Sequence, residues 1–155
     1  GGALVLALDR WLKSESERTP GVLGRYDMRA LGALLETLQD AARRPAALSL
    51  PGYHKLKRER VESVETVAVA PSDVVILEGT VALALETEAA TETHRFHVEI
   101  DEEARRQRIL NEYRLRGLEE PAAMEVYLGR REDEVPAIER LASGGSRVSL
   151  SALIS

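Results

Sequence analysis

Three acidic side chains close apolar runs of this sequence: Asp9, Glu78 and Asp101. A carboxylate can take a proton from a hydroxyl group, accept hydrogen bonds from it, or organise a hard cation such as Mg²⁺. Gly79, directly after the second acid, would let the backbone approach a ligand closely. If the apolar runs are parallel strands, the three acids lie at the carboxyl ends of those strands, where α/β folds bind their ligands.

Five arginines have the charge and donor geometry to hold an anion: Arg58, Arg60, Arg105, Arg108 and Arg116. The first two follow Pro51-Gly52-Tyr53 in a strongly basic stretch. The other three belong to a charged segment with helical character, where Arg105 and Arg108 share one face and Arg116 lies about two turns further along. The alternatives are a solvated loop for the first group and a solvated helix face for the second.

Aromatic and acidic side chains near Asp9 are further candidates for ligand contacts. Trp11 can stack on a ligand or pack in the core. Tyr26-Asp27 stands before an apolar helical pattern, so Asp27 can cap that helix or accept hydrogen bonds from ligand hydroxyls. Tyr53 can stack on a ligand in the same way as the tryptophan.

These residues require strands and helices in alternation to bring them together. Continuous apolar runs predict strands buried on both faces at residues 3–8 and 74–77. Shorter strands are predicted at 46–50, 64–67, 96–100 and 147–150. Periodic leucines predict a helix from 27 to about 43, and further helices are predicted over 102–116 and from 121 to 141, with a break near Pro136. Residues 10–25 are interpreted as a long loop. This order predicts one α/β domain with three layers and a mainly parallel sheet.

Composition excludes several classes of function. The 155 residues carry a formal charge of -5, which disfavours binding to nucleic acid or to an anionic membrane through overall charge. No cysteine is present, which excludes disulfides and a cysteine nucleophile. The three histidines are not spaced for a zinc site, and no Gly-x-Ser-x-Gly elbow of a serine hydrolase occurs. No apolar run approaches the length that spans a bilayer, so we expect a soluble, cytoplasmic protein.

The order of the motifs resembles the uridine kinase and phosphoribulokinase branch of the P-loop kinases. In that family an acid and an aromatic follow a strand, as in Leu8-Asp9-Arg10-Trp11, and an aromatic–Asp pair opens the next helix, as Tyr26-Asp27 does. A Pro-x-Tyr segment with a basic tail, an apolar strand ending in Glu-Gly and an arginine-rich lid helix then follow. The matching segments here are Pro51 to Arg60, Val74 to Gly79 and Asp101 to Gly117. The resemblance covers nearly the whole chain.

The resemblance implies a phosphotransferase that moves the γ-phosphoryl group of ATP, with Mg²⁺, to a hydroxyl of a small metabolite. Asp9 would be the general base, and Arg108 and Arg116 would stabilise the transferred group. Glu78 would organise Mg²⁺ through water, while Gly79 and Arg105 would lie against the nucleotide. The acceptor would be bound beside the loop 10–25 by Trp11, Tyr26, Asp27, Tyr53, Arg58 and Arg60. Residues 101–120 would form the lid.

The chain also departs from the family pattern. The phosphate-binding sequence Gly-x-x-x-x-Gly-Lys-Ser/Thr is absent, and we expect that strand-loop-helix unit to precede Gly1 or to be supplied by another segment. The other departures are Leu12, His54, Lys55, Asn111 and Leu118. The acceptor is therefore open among a nucleoside, a sugar and a pantothenate-like alcohol, with Arg58 and Arg60 favouring one that carries a carboxylate or phosphate.

Two other interpretations and the oligomeric state remain open. One is a degenerate kinase that binds a small molecule without catalysis. The other is an interaction protein that binds an acidic partner through the basic residues 55–60. The sequence does not decide whether the chain forms a homo-oligomer.

Overall fold

The computed structural model describes residues 1–86 and 92–149, with only the backbone of 62–64. The strands are β1 (Ala3–Ala7), β2 (Ala47–His54), β3 (Glu59–Ala68), β4 (Val74–Glu78), β5 (Phe96–Glu99) and β6 (Ser146–Ser149). The helices are α1 (Met28–Leu38), α2 (Glu102–Leu115) and α3 (Glu120–Ala142). The chain divides into two compact units, Gly1–Thr93 and His94–Ser155. The single domain spanning 1–155 stays a prediction.

Strands β1 and β4 form a parallel pair in the first unit. Their register places Val5 beside Ile76 and Ala7 beside Glu78. One face of the pair contributes to the core, where Leu6 is 1% exposed. On the other face Val5 is 58% exposed and Ile76 is 45% exposed. The expectation that both strands are buried on both faces is therefore wrong, because the described residues cover one face of this pair only.

Strands β2 and β3 form an antiparallel hairpin that is longer than the sequence pattern predicted. The predicted strand 46–50 continues to His54, past a shift of register between Leu50 and Gly52. Pro51 lies at this shift and has no N–H to donate to the neighbouring strand. A bulge at this position lets the hydrogen bonding between β2 and β3 resume beyond the proline. Arg58 closes the hairpin turn with a φ of 55°. The basic stretch is thus part of a hairpin rather than a separate loop.

Helix α1 begins where the sequence placed its cap. The Asp27 side chain accepts a hydrogen bond from the Ala30 N–H at 3.0 Å, as an N-cap does. The helix ends at Leu38, before the predicted end, and a short 3₁₀ turn follows at Ala41–Arg43. Arg44 donates from Nε to the Leu38 carbonyl at 2.9 Å, which satisfies one of the free carbonyls at the helix end. The predicted loop 10–25 contains two complete 3₁₀ turns, Glu15–Glu17 and Leu23–Arg25.

The second unit pairs β5 with β6 in parallel and packs α2 against α3. Asp101 caps α2 by accepting from the N–H groups of Glu103 and Ala104. Gly117, with a φ of 87°, follows the end of α2 in the left-handed conformation that favours glycine. Helix α3 is continuous through Pro136, so the predicted break there is wrong. Pro136 is exposed, and the turns on either side of it remain helical, which lets a 23-residue helix tolerate one missing bond.

The predicted α/β class is confirmed. The described residues contain three helices and two parallel strand pairs, with one antiparallel hairpin. The last predicted strand is observed over Ser146–Ser149, and Leu150 lies outside the described residues. Within the described part of the chain, no helix combines the length and apolar character needed to cross a bilayer.

Candidate functional site

The first unit contains a cleft of about 580 Å³ between the start of α1 and the β2–β3 hairpin. Its lining residues are Trp11, Asp27, Ala30, Ser49, Pro51, Arg60 and Val61. This volume is within the range of small-molecule sites, which run from about 300 to 1,000 Å³. Three of the residues predicted for the acceptor side, Trp11, Asp27 and Arg60, therefore meet in one cleft.

The tryptophan side of the cleft is held by backbone hydrogen bonds. The Asp27 N–H donates to the Trp11 carbonyl at 2.9 Å, and the Lys13 N–H donates to the Arg25 carbonyl at 2.9 Å. These bonds join the chain after β1 to the residues just before α1. Trp11 itself is only 4% exposed, so it packs in the core and lines the cleft at the same time.

Asp27 and Arg60 form an ion pair in the cleft. Arg60 Nη2 lies 2.8 Å from Asp27 Oδ2, while Asp27 Oδ1 accepts the Ala30 N–H. The hydrogen bond from the Ala30 N–H and the one from the Arg60 guanidinium hold the pKa of Asp27 below its ordinary value. Asp27 is therefore a carboxylate at neutral pH, and it acts as a helix cap and as a cleft residue together.

Asp9 is exposed at the end of β1 and differs from Asp27 in its partner. Its Oδ1 accepts a hydrogen bond from the Tyr26 hydroxyl at 3.0 Å, and Tyr26 is only 5% exposed. Tyr26 precedes Asp27 in the chain, so the two acids are linked through neighbouring residues. A carboxylate with a hydroxyl partner and solvent access keeps the capacity to accept a proton from a ligand.

Glu78 and Gly79 end β4 at the same edge of the sheet as Asp9. Ala7, two residues before Asp9, is the register partner of Glu78. Gly79 has a φ of 143°, and a Cβ atom there would lie 3.2 Å from the Leu8 Cβ. The close approach of Gly79 to Leu8 brings the ends of the two parallel strands together, as the sequence predicted for these acids.

The remaining arginines near the hairpin are paired with other side chains. Arg58 forms an ion pair with Glu15, and Arg10 pairs with Glu65 at 2.5 Å. Tyr53 accepts a hydrogen bond from Arg18, whose guanidinium lies 5.9 Å from the centroid of the tyrosine ring. Neither Arg58 nor Tyr53 is among the residues that line the cleft. Their predicted acceptor-binding roles stay predictions.

The three lid arginines belong to α2 and its end, in the second unit. Arg105 pairs with Glu102 at 2.8 Å and lies 5.6 Å from the Tyr127 ring centroid. Arg116 pairs with Glu112 and stacks over Tyr113. Arg108 is exposed and makes no hydrogen bond or ion pair within the described residues. Of the three, Arg108 has its guanidinium free to meet an anion.

A carboxylate cluster joins α2 to α3 in this unit. Glu102 accepts hydrogen bonds from Arg105 and from the Tyr127 hydroxyl, and Arg131 Nε lies 3.7 Å from its Oε1. The Arg105 hydrogen bond, followed by the Tyr127 one, lowers the pKa of Glu102 to about 2. The same hydrogen bond raises the pKa of Tyr127, because ionising the phenol would remove the donor.

The carboxylates at the strand ends would supply only part of the ligands that Mg²⁺ needs. Among the described residues, no group of three or more histidine, cysteine, aspartate or glutamate side chains is arranged to hold a metal. Mg²⁺ is commonly bound through one or two carboxylates, with waters and substrate phosphates completing its shell. The exposed Glu78 and Asp9 are oxygen donors of the required kind.

Four cleft residues were not among the ligand-binding residues predicted from the sequence: Ala30, Ser49, Pro51 and Val61. Ser49 alternates along β2 with Leu48 and Leu50, which are 5% and 1% exposed. This alternation indicates that Ser49 faces away from the core. The cleft position of Val61 depends on hairpin pairing, which puts Val61 opposite Gly52.

Comparison with known proteins supports the fold. No family model matches the chain, and no curated protein matches it. A solved structure from Silicibacter sp. TM1040, described as a "putative fructose transport system kinase", superposes with a TM-score of 0.61 at 14% identity, over 94% of this chain and 72% of that one. The chain has the fold of that kinase. The predicted kinase-like fold is therefore confirmed, at the level of fold alone. A structure from Bacillus stearothermophilus, described as a "possible uridine kinase", gives 0.48 at 16% identity, over 94% and 71%.

Proposed function

We propose that this chain forms the acceptor-binding part of a small-molecule kinase, which transfers the γ-phosphoryl group of ATP to a hydroxyl of a small metabolite. The observation that carries the proposal is the exposed Asp9 carboxylate, which accepts a hydrogen bond from Tyr26, the residue that precedes the cleft residue Asp27 in the chain. Phosphoryl transfer needs little covalent chemistry from the protein, and it depends on positioning and charge stabilisation. The cleft and Asp9 together would supply the positioning of the acceptor hydroxyl.

Each residue in the first unit has a defined task under this proposal. Asp9 would take the proton that the acceptor hydroxyl loses, and the Tyr26 hydroxyl would orient the Asp9 carboxylate. Asp27 and Arg60 would hold other polar groups of the acceptor, with Trp11 as the apolar wall. Glu78 would contribute to Mg²⁺ through water, and the metal would neutralise phosphate charge when bound.

The arginines of the second unit would supply positive charge to the phosphates. Arg108 is free within the described residues, whereas Arg105 and Arg116 would exchange a carboxylate partner for a phosphate. The partly exposed Arg116–Glu112 pair contributes little to stability, about 0–1 kcal/mol, so its exchange costs little, whereas Arg105 would give up the bond that lowers the pKa of Glu102. The β- and γ-phosphates of ATP would require a phosphate-binding loop, which the sequence of this chain does not contain.

The test uses the complete gene product. We expect its coding sequence to contain Gly-x-x-x-x-Gly-Lys-Ser/Thr within about 20–40 residues of Gly1, the size of one strand-loop-helix unit. We expect the purified protein to consume ATP with at least one member of a panel of hydroxylated metabolites, and to yield a phosphate ester that mass spectrometry identifies. The matched control replaces the lysine of that loop. A gene product without the loop that consumes no ATP would favour the non-catalytic binding module.

A further inference from the structure

We propose that Arg105, Tyr127 and Arg131 form a binding site for a phosphate group, and that the carboxylate of Glu102 occupies this site as an internal competitor. Glu102 and Arg105 belong to α2, whereas Tyr127 and Arg131 belong to α3, so the site lies within the second unit. Arg105 enters this site from the proposed function, but phosphate binding here does not require ATP turnover.

Three donor groups converge on one oxygen of Glu102. Its Oε1 accepts a hydrogen bond from Arg105 Nη2 at 3.0 Å and another from the Tyr127 hydroxyl. Arg131 Nε lies 3.7 Å from the same oxygen. The other oxygen, Oε2, accepts from Arg105 Nε at 2.8 Å. Arg105 therefore holds the carboxylate with both arms of its fork, the geometry by which guanidinium groups bind carboxylates and phosphates.

The donors outnumber the acceptor sites that the carboxylate offers at this point. Each carboxylate oxygen has about two lone-pair sites, and Arg105 and Tyr127 use both sites of Oε1. Arg131 remains beyond hydrogen-bonding distance at 3.7 Å. A phosphate group has a third terminal oxygen, which can accept from Arg131 while the other two replace the oxygens of Glu102. The donor set therefore suits a phosphate group better than the carboxylate that occupies it.

The charges around the site also favour an anion with more than one negative charge. Arg105 and Arg131 carry two positive charges, against the single negative charge of Glu102. The hydrogen bond from Arg105, followed by the one from Tyr127, lowers the pKa of Glu102 to about 2, so these donors stabilise negative charge at this point. A phosphate monoester carries about −1.5 to −2 charges at pH 7 and would match the two arginines.

The acids beside Glu102 are engaged with other groups. Asp101 accepts from the N–H groups of Glu103 and Ala104 as the cap of α2. Glu103 pairs with Arg106 at 3.2 Å. The site therefore depends on the side-chain donors of α2 and α3, because the cap already uses the backbone donors at the helix end.

The site has a buried base and an open side. Tyr127 is 3% exposed and belongs to the small core between α2 and α3. The guanidinium of Arg105 lies 5.6 Å from the Tyr127 ring centroid, a contact that holds the arginine in place. The side chains of Glu102 and Arg131 are 50% and 58% exposed. Glu102 can therefore turn towards solvent and release the site, while Arg105 and Tyr127 keep their positions.

The experiment titrates the complete gene product with inorganic phosphate and with pyrophosphate, and follows the Arg105 Nε–H signal by NMR. Arg105→Lys assigns this signal, which reports binding at this site and not at distant ones. A site that is free about one-tenth of the time binds about tenfold more weakly than an empty one. We expect Glu102→Ala to bind at least one probe about tenfold more tightly than the wild type. A folded Glu102→Ala with no saturable change, or with wild-type affinity, would overturn the inference.

Glu103→Ala is the matched control, because it removes the same charge from the neighbouring residue, which pairs with Arg106. It should leave the phosphate affinity within about twofold of the wild type, since an exposed charge outside the site acts only through screened attraction. An equal gain in Glu103→Ala would indicate a general charge effect and would overturn the inference.

A second variant covers the case in which melting curves show that Glu102→Ala does not fold. Glu102→Gln removes the charge but keeps an oxygen that can accept from the Tyr127 hydroxyl. Its gain in phosphate affinity should have the same sign and be smaller. A folded Glu102→Gln with the phosphate affinity of the wild type would contradict the role of Glu102 as a competitor.

The contribution of α3 is tested by adding Arg131→Ala to Glu102→Ala. The double variant should lose about tenfold in phosphate affinity, the order of effect of one charge-assisted hydrogen bond. Arg106→Ala in the same background is the control, because Arg106 pairs with Glu103 and removes an equal charge. Equal phosphate affinities of the two double variants would exclude Arg131 from the site and contradict the proposal.

ADP and ATP distinguish the source of the phosphate group. Tighter binding of the nucleotides than of pyrophosphate would assign the site to a nucleotide, and the reverse order would assign it to free phosphates; either result supports the site. A gain of phosphate affinity in Glu102→Ala, in a gene product that consumes no ATP, would support the inference and contradict the kinase function. ATP consumption without that gain would support the kinase function and overturn the inference.

Discussion

The acids of this protein differ in their partners, and at the level of single residues this difference separates their roles. The Ala30 N–H and then Arg60 lower the pKa of Asp27, and Arg105 and then the Tyr127 hydroxyl lower the pKa of Glu102. Asp9 has a tyrosine hydroxyl as its partner and is exposed. Within the described part of the chain, Asp9 forms no ion pair with a guanidinium. This contrast favours Asp9 as the proton acceptor.

We expect Asp9→Asn in the complete gene product to lower turnover by about 100-fold or more, the usual contribution of a general base. ATP binding should persist, because the substitution keeps the shape of the side chain and removes only its basicity. Steady-state kinetics with the acceptor found by the panel, together with equilibrium ATP binding, measure both quantities. Asp40→Asn serves as the control with the same change of chemistry. Equal turnover of Asp9→Asn and the wild type would exclude the general-base role.

At the level of elements, the site depends on two strand ends that approach through a glycine. Gly79 combines a φ of 143° with a Cβ direction that points at Leu8. Leu8 is fully buried, so it has little room to move. Residues other than glycine adopt such a backbone only at a cost. The Glu-Gly order in the sequence therefore has a structural cause at the end of β4, independent of any nucleotide.

We expect Gly79→Ala to lower the free energy of unfolding by about 1–3 kcal/mol, from backbone strain together with the contact to Leu8. Gly32→Ala is the matched control, because Gly32 lies inside α1 and an added Cβ there meets nothing within 4 Å. That variant should raise the free energy of unfolding by about 0.5–1 kcal/mol, since alanine favours a helix interior. Urea denaturation measures both. A neutral Gly79→Ala would contradict the strained approach.

A second element-level contact is the cluster around Glu102, which joins α2 to α3. The pKa of Glu102 is about 2 in the folded chain against an ordinary 4.5. A carboxyl group whose pKa is lower in the folded chain stabilises the fold at pH values above its unfolded-state pKa. This contribution is lost as the pH falls through the folded-state pKa. The contribution of Glu102 is therefore present above about pH 4.5 and lost between pH 4.5 and 2.

Tyr127→Phe should raise the pKa of Glu102, because it removes the Tyr127 hydrogen bond and leaves only those from Arg105. The loss of stability on acidification should then still begin near pH 4.5, but it should be smaller and complete at a higher pH. NMR titration of the Glu102 carboxyl group gives the pKa directly. Tyr113→Phe provides the control, since Tyr113 stacks with Arg116 and Arg130. An unchanged Glu102 pKa in Tyr127→Phe would mean that the Tyr127 hydroxyl does not lower it and that the arginines do.

At the level of the whole molecule, the parallel strand pairs leave apolar side chains exposed. Val5 and Val74 are 58% and 64% exposed in the first unit, and Phe96 and Val98 are 56% and 51% exposed in the second. Continuous apolar runs are typical of parallel strands that other elements cover on both faces. The apolar runs in the sequence correctly indicated strands. They could not show which element covers each face of those strands.

Sequence patterns anticipated part of the cleft as well as the strands. Tyr26-Asp27 was predicted both as a helix cap and as a ligand contact. Asp27 caps α1 and lines the cleft, and its ligand contact stays a prediction. Ser49 and Val61 were missed because they enter the cleft through the hairpin, whose pairing continues past Pro51. Proline normally ends a strand in sequence patterns, and only the bulge shows that this strand resumes.

The sequence by itself determined the local features of this protein: the strands closed by acids, the cap of α1, the glycine after α2 and the excess of negative charge. Periodicity and capping involve neighbours within a few residues, so a single sequence contains them. Only the tertiary structure decided which charges compensate each other. Arg60 meets Asp27 and Arg58 meets Glu15 across more than 30 residues of chain. These pairings compensate two arginines of the basic stretch, because the effect of a charge depends on its neighbours in space.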